Sequence, residues 1–315
     1  MKSLSLAQKA REGDRLSVAR LITMVENRQE EAEKELAFLH SYTGKAKVIG
    51  VTGPPGAGKS TLTGKFVKQW RALGKKVAVV AVDPTSPFTG GSLLGDRLRM
   101  SELTTDPGVF IRSMSTRGSL GGLAAATGDV IRVLDAAGYE IIIVETVGVG
   151  QAEVDIMEIA DSVLVITVPG LGDDIQISKA GIMEIGDVFI VNKADRHGAD
   201  QIVTALDMML DLNPTENDWR PPIIKTVATS GEGIEDLVKK VQEHFSYTEK
   251  AGLLEGRKMQ RTKNEIVNIL KKRFEETVID PAEAEGALDS YAKKVYEKEM
   301  DPYQAVDEIM KEKDR

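Results

Sequence analysis

Gly53-Pro54-Pro55-Gly56-Ala57-Gly58-Lys59-Ser60 reads G-x-x-x-x-G-K-S. The apolar run Lys47-Val48-Ile49-Gly50-Val51-Thr52 precedes it, and a helix-forming stretch from Thr61 to Leu73 follows. Strand, glycine turn and helix N-terminus in that order wrap successive backbone N–H groups round a phosphate at the positive end of a helix dipole. The pattern predicts that Lys59 reaches the β- and γ-phosphates of a nucleoside triphosphate. It also predicts that the Ser60 hydroxyl completes the coordination of Mg²⁺. Gly53, Pro54, Pro55, Gly56, Ala57, Gly58 and Thr61 frame the same phosphates. The competing reading is a glycine turn that binds nothing, and the flanking strand and helix argue against it.

Outward from this loop, apolar strands alternate with helical stretches from residue 46 to 248. Strands are expected over 47–52, 77–82, 109–113, 141–145, 162–168, 188–192 and 223–227. Near-continuous runs such as Ile141-Ile142-Ile143-Val144 suit central strands buried on both faces. The fold class is therefore α/β, a P-loop NTPase with a mostly parallel central sheet flanked by helices. Residues 1–45 form a separate N-terminal helical segment. There Leu16, Val18, Ala19, Leu21, Ile22 and Val25 mark one amphipathic helix, and 31–39 a second. Residues 249–315 are helical again, with Ile266, Ile269, Leu270, Phe274 and Val278 on one face and a break at Asp280-Pro281. Leu288, Tyr291 and Val295 carry a second stripe, and Tyr303, Val306, Ile309 and Met310 a third. Periodicity alone leaves two uses for these stripes, packing on the nucleotide domain or pairing with another subunit.

The chain of 315 residues carries a formal charge of −8 with both signs interspersed, which argues against nucleic acid as the main partner. It has no cysteine, so disulfides, cysteine–zinc sites and thiol nucleophiles are excluded. His40, His197 and His244 are too far apart to suggest ligand spacing and are expected at the surface or at helix caps. No apolar run approaches the roughly 20 residues that cross a bilayer. The N-terminus, Met1-Lys2-Ser3-Leu4-Ser5-Leu6, lacks a secretory apolar region of sufficient length. A soluble, cytoplasmic protein without a membrane partner is expected.

Asn192-Lys193-Ala194-Asp195 follows the strand at 188–191 and reads N-K-x-D. A carboxylate at Asp195 accepts from both N1–H and the exocyclic amine of guanine, whereas adenine leaves it under-satisfied. Lys193 lies across the base in this reading, and Asn192 ties its loop to the phosphate loop. Downstream, Val227-Ala228-Thr229-Ser230-Gly231 matches a loop whose backbone N–H meets guanine O6, with Ala228 as donor.

The second strand ends at Asp83, and the glycine-rich stretch that follows carries Asp96, Arg97 and Arg99. Asp83 and Asp96 are candidates for holding Mg²⁺ or its waters, with a turn or N-cap role as the alternative for Asp83. The strand at 141–144 runs into Glu145-Thr146-Val147-Gly148, an E-x-x-G in which Glu145 acts on Mg²⁺ through water. Gly148 is placed to donate its N–H to the γ-phosphate and so to sense its presence. Val149 stands where Ras-like proteins carry the glutamine that orients attacking water, so intrinsic hydrolysis is expected to be slow. Pro169-Gly170-Leu171-Gly172-Asp173-Asp174 through Lys179 is either a strand-to-helix connection capped by an aspartate or a switch segment.

Six ordered segments together resemble the MeaB/ArgK family of P-loop GTPases, relatives of the methylmalonic aciduria type A protein. They are Gly53 to Thr61, Val82-Asp83-Pro84-Thr85-Ser86-Pro87, Gly95-Asp96-Arg97-Leu98-Arg99-Met100, Glu145 to Gln151, Gly172-Asp173-Asp174-Ile175-Gln176 and Asn192 to Asp195. Arg11 to Asn27 is similar to the family's N-terminal helical segment. The resemblance implies a GTPase chaperone of an adenosylcobalamin-dependent acyl-CoA mutase, of the methylmalonyl-CoA mutase type. In that role GTP binding and hydrolysis are coupled to cofactor loading, protection and reactivation. It implies a homodimer through the C-terminal helical arm, and Asp83, Asp96 and Glu145 around the metal. Lys179 is implied to assist hydrolysis in a partner-bound state. Rival classes are a P-loop kinase acting on a small molecule or protein, a nickel-delivery GTPase and a GTP-binding adaptor. The nickel reading needs a Cys/His site that this chain does not have.

Overall fold

Side chains along the strands divide by alternation. Val48, Ala78, Val80, Ile142, Val144, Val163 and Val165 enter one hydrophobic cluster. Their immediate neighbours Ile49, Val77, Val79, Ile141, Ile143 and Leu164 enter another. A period of two that buries both sets is what a parallel sheet covered on both faces requires. The computed structural model describes residues 5–27, 29–83, 101–115, 124–146, 152–170, 185–212 and 218–313. Among these, β1 (Lys47–Thr52), β2 (Val77–Asp83), β3 (Val109–Ser115), β4 (Ile141–Thr146), β5 (Ser162–Thr167), β6 (Val188–Asn192) and β7 (Ile223–Thr226) form one sheet. Its order is β3-β2-β4-β1-β5-β6-β7, and every pairing is parallel. All seven expected strands are present, with ends displaced by at most two residues. The order reverses about β1, so the loop after it opens at the switch point where such sheets bind ligands.

The helices are α1 (Leu6–Arg11), α2 (Arg15–Glu26), α3 (Glu30–Leu39), α4 (Lys59–Ala72), α5 (Ala124–Ala136), α6 (Ala152–Ile159), α7 (Ala199–Leu212), α8 (Ile234–Lys250), α9 (Leu253–Phe274), α10 (Asp280–Ala284), α11 (Ala287–Tyr296) and α12 (Pro302–Lys313). On one face α4 buries Leu62, Phe66, Val67 and Trp70, with Phe66 and Trp70 edge-on at 5.9 Å. Beside it α8 buries Ile234, Leu237, Val238, Val241 and Phe245. The opposite face is covered by α5 and by α2, whose Val18, Leu21, Ile22 and Val25 share its cluster. The two expected N-terminal helices are preceded by a short third one, α1, which Ser5 and Gln8 start with a reciprocal capping box.

Three buried aspartates finish the lower, N-terminal edge of the sheet. Asp135 accepts from the Ala46 amide at 3.0 Å, Asp161 from Val48 at 2.8 Å and Asp187 from Val163 at 2.8 Å. Each carboxylate takes an N–H that lacks a ladder partner at a strand start. His244 belongs to this edge, which corrects its expected surface position. It is 1% exposed, with Nε2 3.2 Å from Asp187 Oδ1. It lies on the buried face of α8, and the carboxylate supplies the partner that makes a buried imidazole tolerable. Arg257 completes the cluster, 3.1 Å from Asp187 and 3.0 Å from the Asp161 carbonyl.

The chain divides into two compact units, Met1–Lys258 and Met259–Arg315. In the second, the expected break at Asp280-Pro281 takes the form of a widened π-type turn over Glu275–Ile279, after which α10 begins. Proline has no N–H for the continuing ladder, and it sits in the first turn of the new helix where none is needed. Asp301 then caps α12, accepting from the amides of Tyr303 and Gln304 at 2.8 and 3.0 Å. No helix among the described residues is long and apolar enough to cross a membrane.

Candidate nucleotide-binding site

The loop between β1 and α4 is built round two glycines whose side-chain space is already taken. Gly53 has φ +142°, and a Cβ there would stand 2.2 Å from the Ile166 carbonyl oxygen. Gly58 has φ +86°, and its Cβ would meet Asn192 Nδ2 at 2.6 Å. Backbone in this region excludes other residues sterically, so the motif's glycines follow from the turn it must make. The turn delivers Lys59 and Ser60 to the first positions of α4, both more than nine-tenths buried. Lys59 Nζ donates to the carbonyls of Gly53 at 2.8 Å and Pro54 at 3.0 Å, which curls the ammonium back over the loop.

Ser60 Oγ donates to Glu145 Oε1 at 2.6 Å. Glu145 is 4% exposed and stands in register with Val51 on β1 and Ala81 on β2. Asp83 closes β2 two positions beyond that level, so the backbone brings its strand end alongside β4. The next residue on β4, Thr146, donates to Thr52 Oγ1 at 3.0 Å and locks the two strand ends together. Hydroxyl and carboxylate are hard oxygen donors, and Ser60 and Glu145 fit Mg²⁺ held partly by phosphate oxygens and water. Among the described residues no three acidic or histidine side chains cluster into a protein-only metal cage.

Asn192 connects this loop to the segment expected to read the base. Its Nδ2 donates to the Ala57 carbonyl at 2.8 Å, while Oδ1 accepts from Thr226 Oγ1 and from the Ala228 amide, both at 3.1 Å. Lys193 has a left-handed φ of +56° and donates to the Gly56 carbonyl at 2.8 Å. Asp195 is exposed at the rim of the same turn. The structure thus brings together Lys59, Ser60, Glu145, Asn192, Lys193 and Ala228 about the phosphate loop. The Ala228 amide, expected to face guanine O6, is directed at Asn192 instead. Asp96, Gly148, Val149 and Lys179 lie outside the described residues, as does the side chain of Asp83. Thr52, Thr146 and Thr226 are bonded into this arrangement although the motifs assigned them no role. Their signal is a hydroxyl at a strand end, visible only once the register is known.

The profile of the family described as methylmalonyl-CoA mutase-associated GTPase MeaB matches residues 18–283. The chain belongs to the MeaB family of GTPases. Membership makes the nucleotide of this site a guanine one, GTP or GDP. Relatives extend the match along the whole chain. A protein of Pyrococcus abyssi named as a GTPase is 51% identical over 310 residues, covering 98% of this chain and 95% of its own length. GTPase ArgK of Escherichia coli is 34% identical, covering 90% of this chain and 87% of its own. The mitochondrial methylmalonic aciduria type A homolog of Mus musculus is 34% identical over 84% of this chain and 64% of its own. A solved structure described as an LAO/AO transport system kinase superposes with a TM-score of 0.71 at 26% identity, covering 97% of this chain and 95% of its own. The likeness to that solved structure therefore extends over nearly the full chain.

Proposed function

We propose that this MeaB-family GTPase hydrolyses GTP to GDP and phosphate with Mg²⁺ and serves an adenosylcobalamin-dependent acyl-CoA mutase in the cytoplasm. Binding and hydrolysis would be coupled to loading, protecting and reactivating the mutase's cofactor. The observation that supports the GTP half is the bridge made by Asn192, which joins the phosphate loop at Ala57 to Ala228 in the loop expected to read guanine. The mutase half is supported by the family match over residues 18–283.

Water attacks the γ-phosphate in line with the departing GDP. Lys59, released from the Gly53 and Pro54 carbonyls, turns its ammonium to the β- and γ-phosphates and stabilises the charge that develops there. Ser60 and Glu145 would hold Mg²⁺, with Asp83 and Asp96 assigned to the same corner, and the ion would supply Lewis-acid neutralisation of the phosphate oxygens. Asp195 accepts from the guanine edge, Lys193 covers the base, and Gly148 senses the γ-phosphate. With Val149 in place of a water-orienting glutamine, basal turnover is slow and rises when a mutase reorders the segments around Asp96 and Lys179.

The C-terminal unit is assigned as a homodimerisation arm. Ile266, Leu270 and Phe274 fall at i, i+4 and i+8 on α9, yet each is between 43% and 61% exposed. An apolar stripe on one helical face that stays in water is what a second copy would cover.

The deciding experiment measures phosphate release from GTP and ATP with Mg²⁺, with and without a candidate adenosylcobalamin-dependent mutase. A slow GTP-specific rate raised by the mutase supports the whole reading. A GTP rate indifferent to every mutase removes the client. Preference for ATP, with label transferred to an added acceptor, replaces the reading with a kinase.

A further inference from the structure

We infer that Thr146 and Thr52 are positioning residues for Mg²⁺–triphosphate, their hydroxyl bond holding Glu145 at a fixed distance from the phosphate loop. The inference rests on the GTPase reading above and assigns both threonines a role that the motifs do not.

The ladder between β1 and β4 ends at Val51 and Glu145. One residue further on, Thr52 stays paired with Val165 of β5, and Thr146 with Val82 of β2. Each threonine is therefore anchored to a strand on the opposite side of the sheet from the other's. The phosphate loop leaves from the β5 side, where Gly53 is packed against the Ile166 carbonyl. Glu145 and the chain leading to Gly148 leave from the β2 side. Across this divide the Thr146 hydroxyl donates to Thr52 Oγ1 at 3.0 Å. Both side chains are buried, so water does not compete for the bond.

Ser60 and Glu145 make a second bond near the same divide, at 2.6 Å. Both of those groups are assigned to Mg²⁺, and serving the ion would cost them their bond to each other. The threonine pair is uncharged and has no such competing duty, so its tie persists. Mg²⁺ demands near-octahedral ligands at about 2.0–2.1 Å, whereas hydrogen bonds to phosphate tolerate a wider spread of distance. Slack between the two strand ends therefore weakens metal-assisted binding and spares nucleotide binding without metal. A merely structural pair would lower stability and weaken both alike.

The test measures the affinity of GTPγS with Mg²⁺ and with EDTA, alongside thermal melting. It compares wild-type protein with Thr146→Val, Thr146→Ser, Thr52→Val and the double valine variant. Thr146→Val is expected to cut the gain in affinity that Mg²⁺ confers by roughly tenfold, with affinity in EDTA within about twofold of wild type. Thr146→Ser, which keeps the hydroxyl, is expected to restore the gain. Thr52→Val leaves Thr146 the more distant Val51 carbonyl at 3.5 Å and is expected to shift the gain in the same direction. The double variant is expected to be no worse than the worse single one, because both changes remove one bond. Thr146→Ala and Thr52→Ala carry the same expectations if the valine variants do not fold. Folded hydroxyl-free variants with the Mg²⁺ gain intact overturn the inference, and so does equal weakening with Mg²⁺ and with EDTA. Additive losses in the double variant, loss of the gain in the serine variant, or failure of every hydroxyl-free variant to fold also overturn it. Wild-type protein that binds no GTPγS overturns the GTPase reading itself, and the inference with it.

Discussion

Lys59 and Asp195 are assigned different parts of the proposed GTP recognition, and their substitutions separate them. Lys59 is held by two loop carbonyls and stands at the start of α4, where a triphosphate would take over its ammonium. Lys59→Ala is expected to lower kcat for GTP by on the order of 100-fold or more, the scale of a lost transition-state charge contact. A phosphate-release assay at saturating GTP reads it directly. Asp195 lies exposed beyond Asn192. Asp195→Asn exchanges an acceptor pair for one acceptor and one donor. It is expected to weaken GDP binding about 100-fold and to improve binding of xanthine nucleotides, which present a carbonyl where guanine has its amine. Titration with both nucleotides checks the pair, and unchanged guanine preference would remove Asp195 from the site.

At the scale of elements, the lower edge of the sheet depends on a cluster contributed by Asp187 just before β6, by His244 of α8 and by Arg257 of α9. Burial pushes the Asp187 carboxyl up, but the hydrogen bonds and charges of His244 and Arg257 outweigh it, and the group titrates below its ordinary 3.8. With the folded value below the unfolded one, the unfolded chain binds more protons in the window between them. The stabilisation is fully present above about pH 4 and is lost as pH falls through the folded value. Asp187→Asn should destabilise by about 2–3 kcal/mol at neutral pH, at the low end for a buried pair because Arg257 is more than a third exposed. It should also flatten the acid limb. Thermal melts between pH 7 and pH 3 test both, and a variant whose melts still track the wild-type acid limb would assign that limb elsewhere.

The whole molecule has a core that closes on both faces of its sheet and a C-terminal unit that leaves an apolar stripe in water. Leu270 is 61% exposed and central to that stripe. Sedimentation of the full chain should give twice its 34.2 kDa mass, and Leu270→Asp should return it to a monomer. A wild-type monomer across the micromolar range would leave the stripe for another partner.

The sequence alone determined the strands, because a core strand must be apolar and a phosphate loop must be glycine where φ turns positive. It singled out Lys59, Ser60, Glu145, Asn192 and Asp195 as candidates, since each sits in a motif whose spacing is set by local backbone geometry. It did not reveal Thr226, Thr146 or the Asp187–His244–Arg257 cluster, and it misjudged His244. These residues act through partners on other strands and helices, at sequence distances where no periodicity survives. Which hydroxyl faces Asn192, and which carboxylate receives a buried histidine, was decided only when seven strands took their order and register.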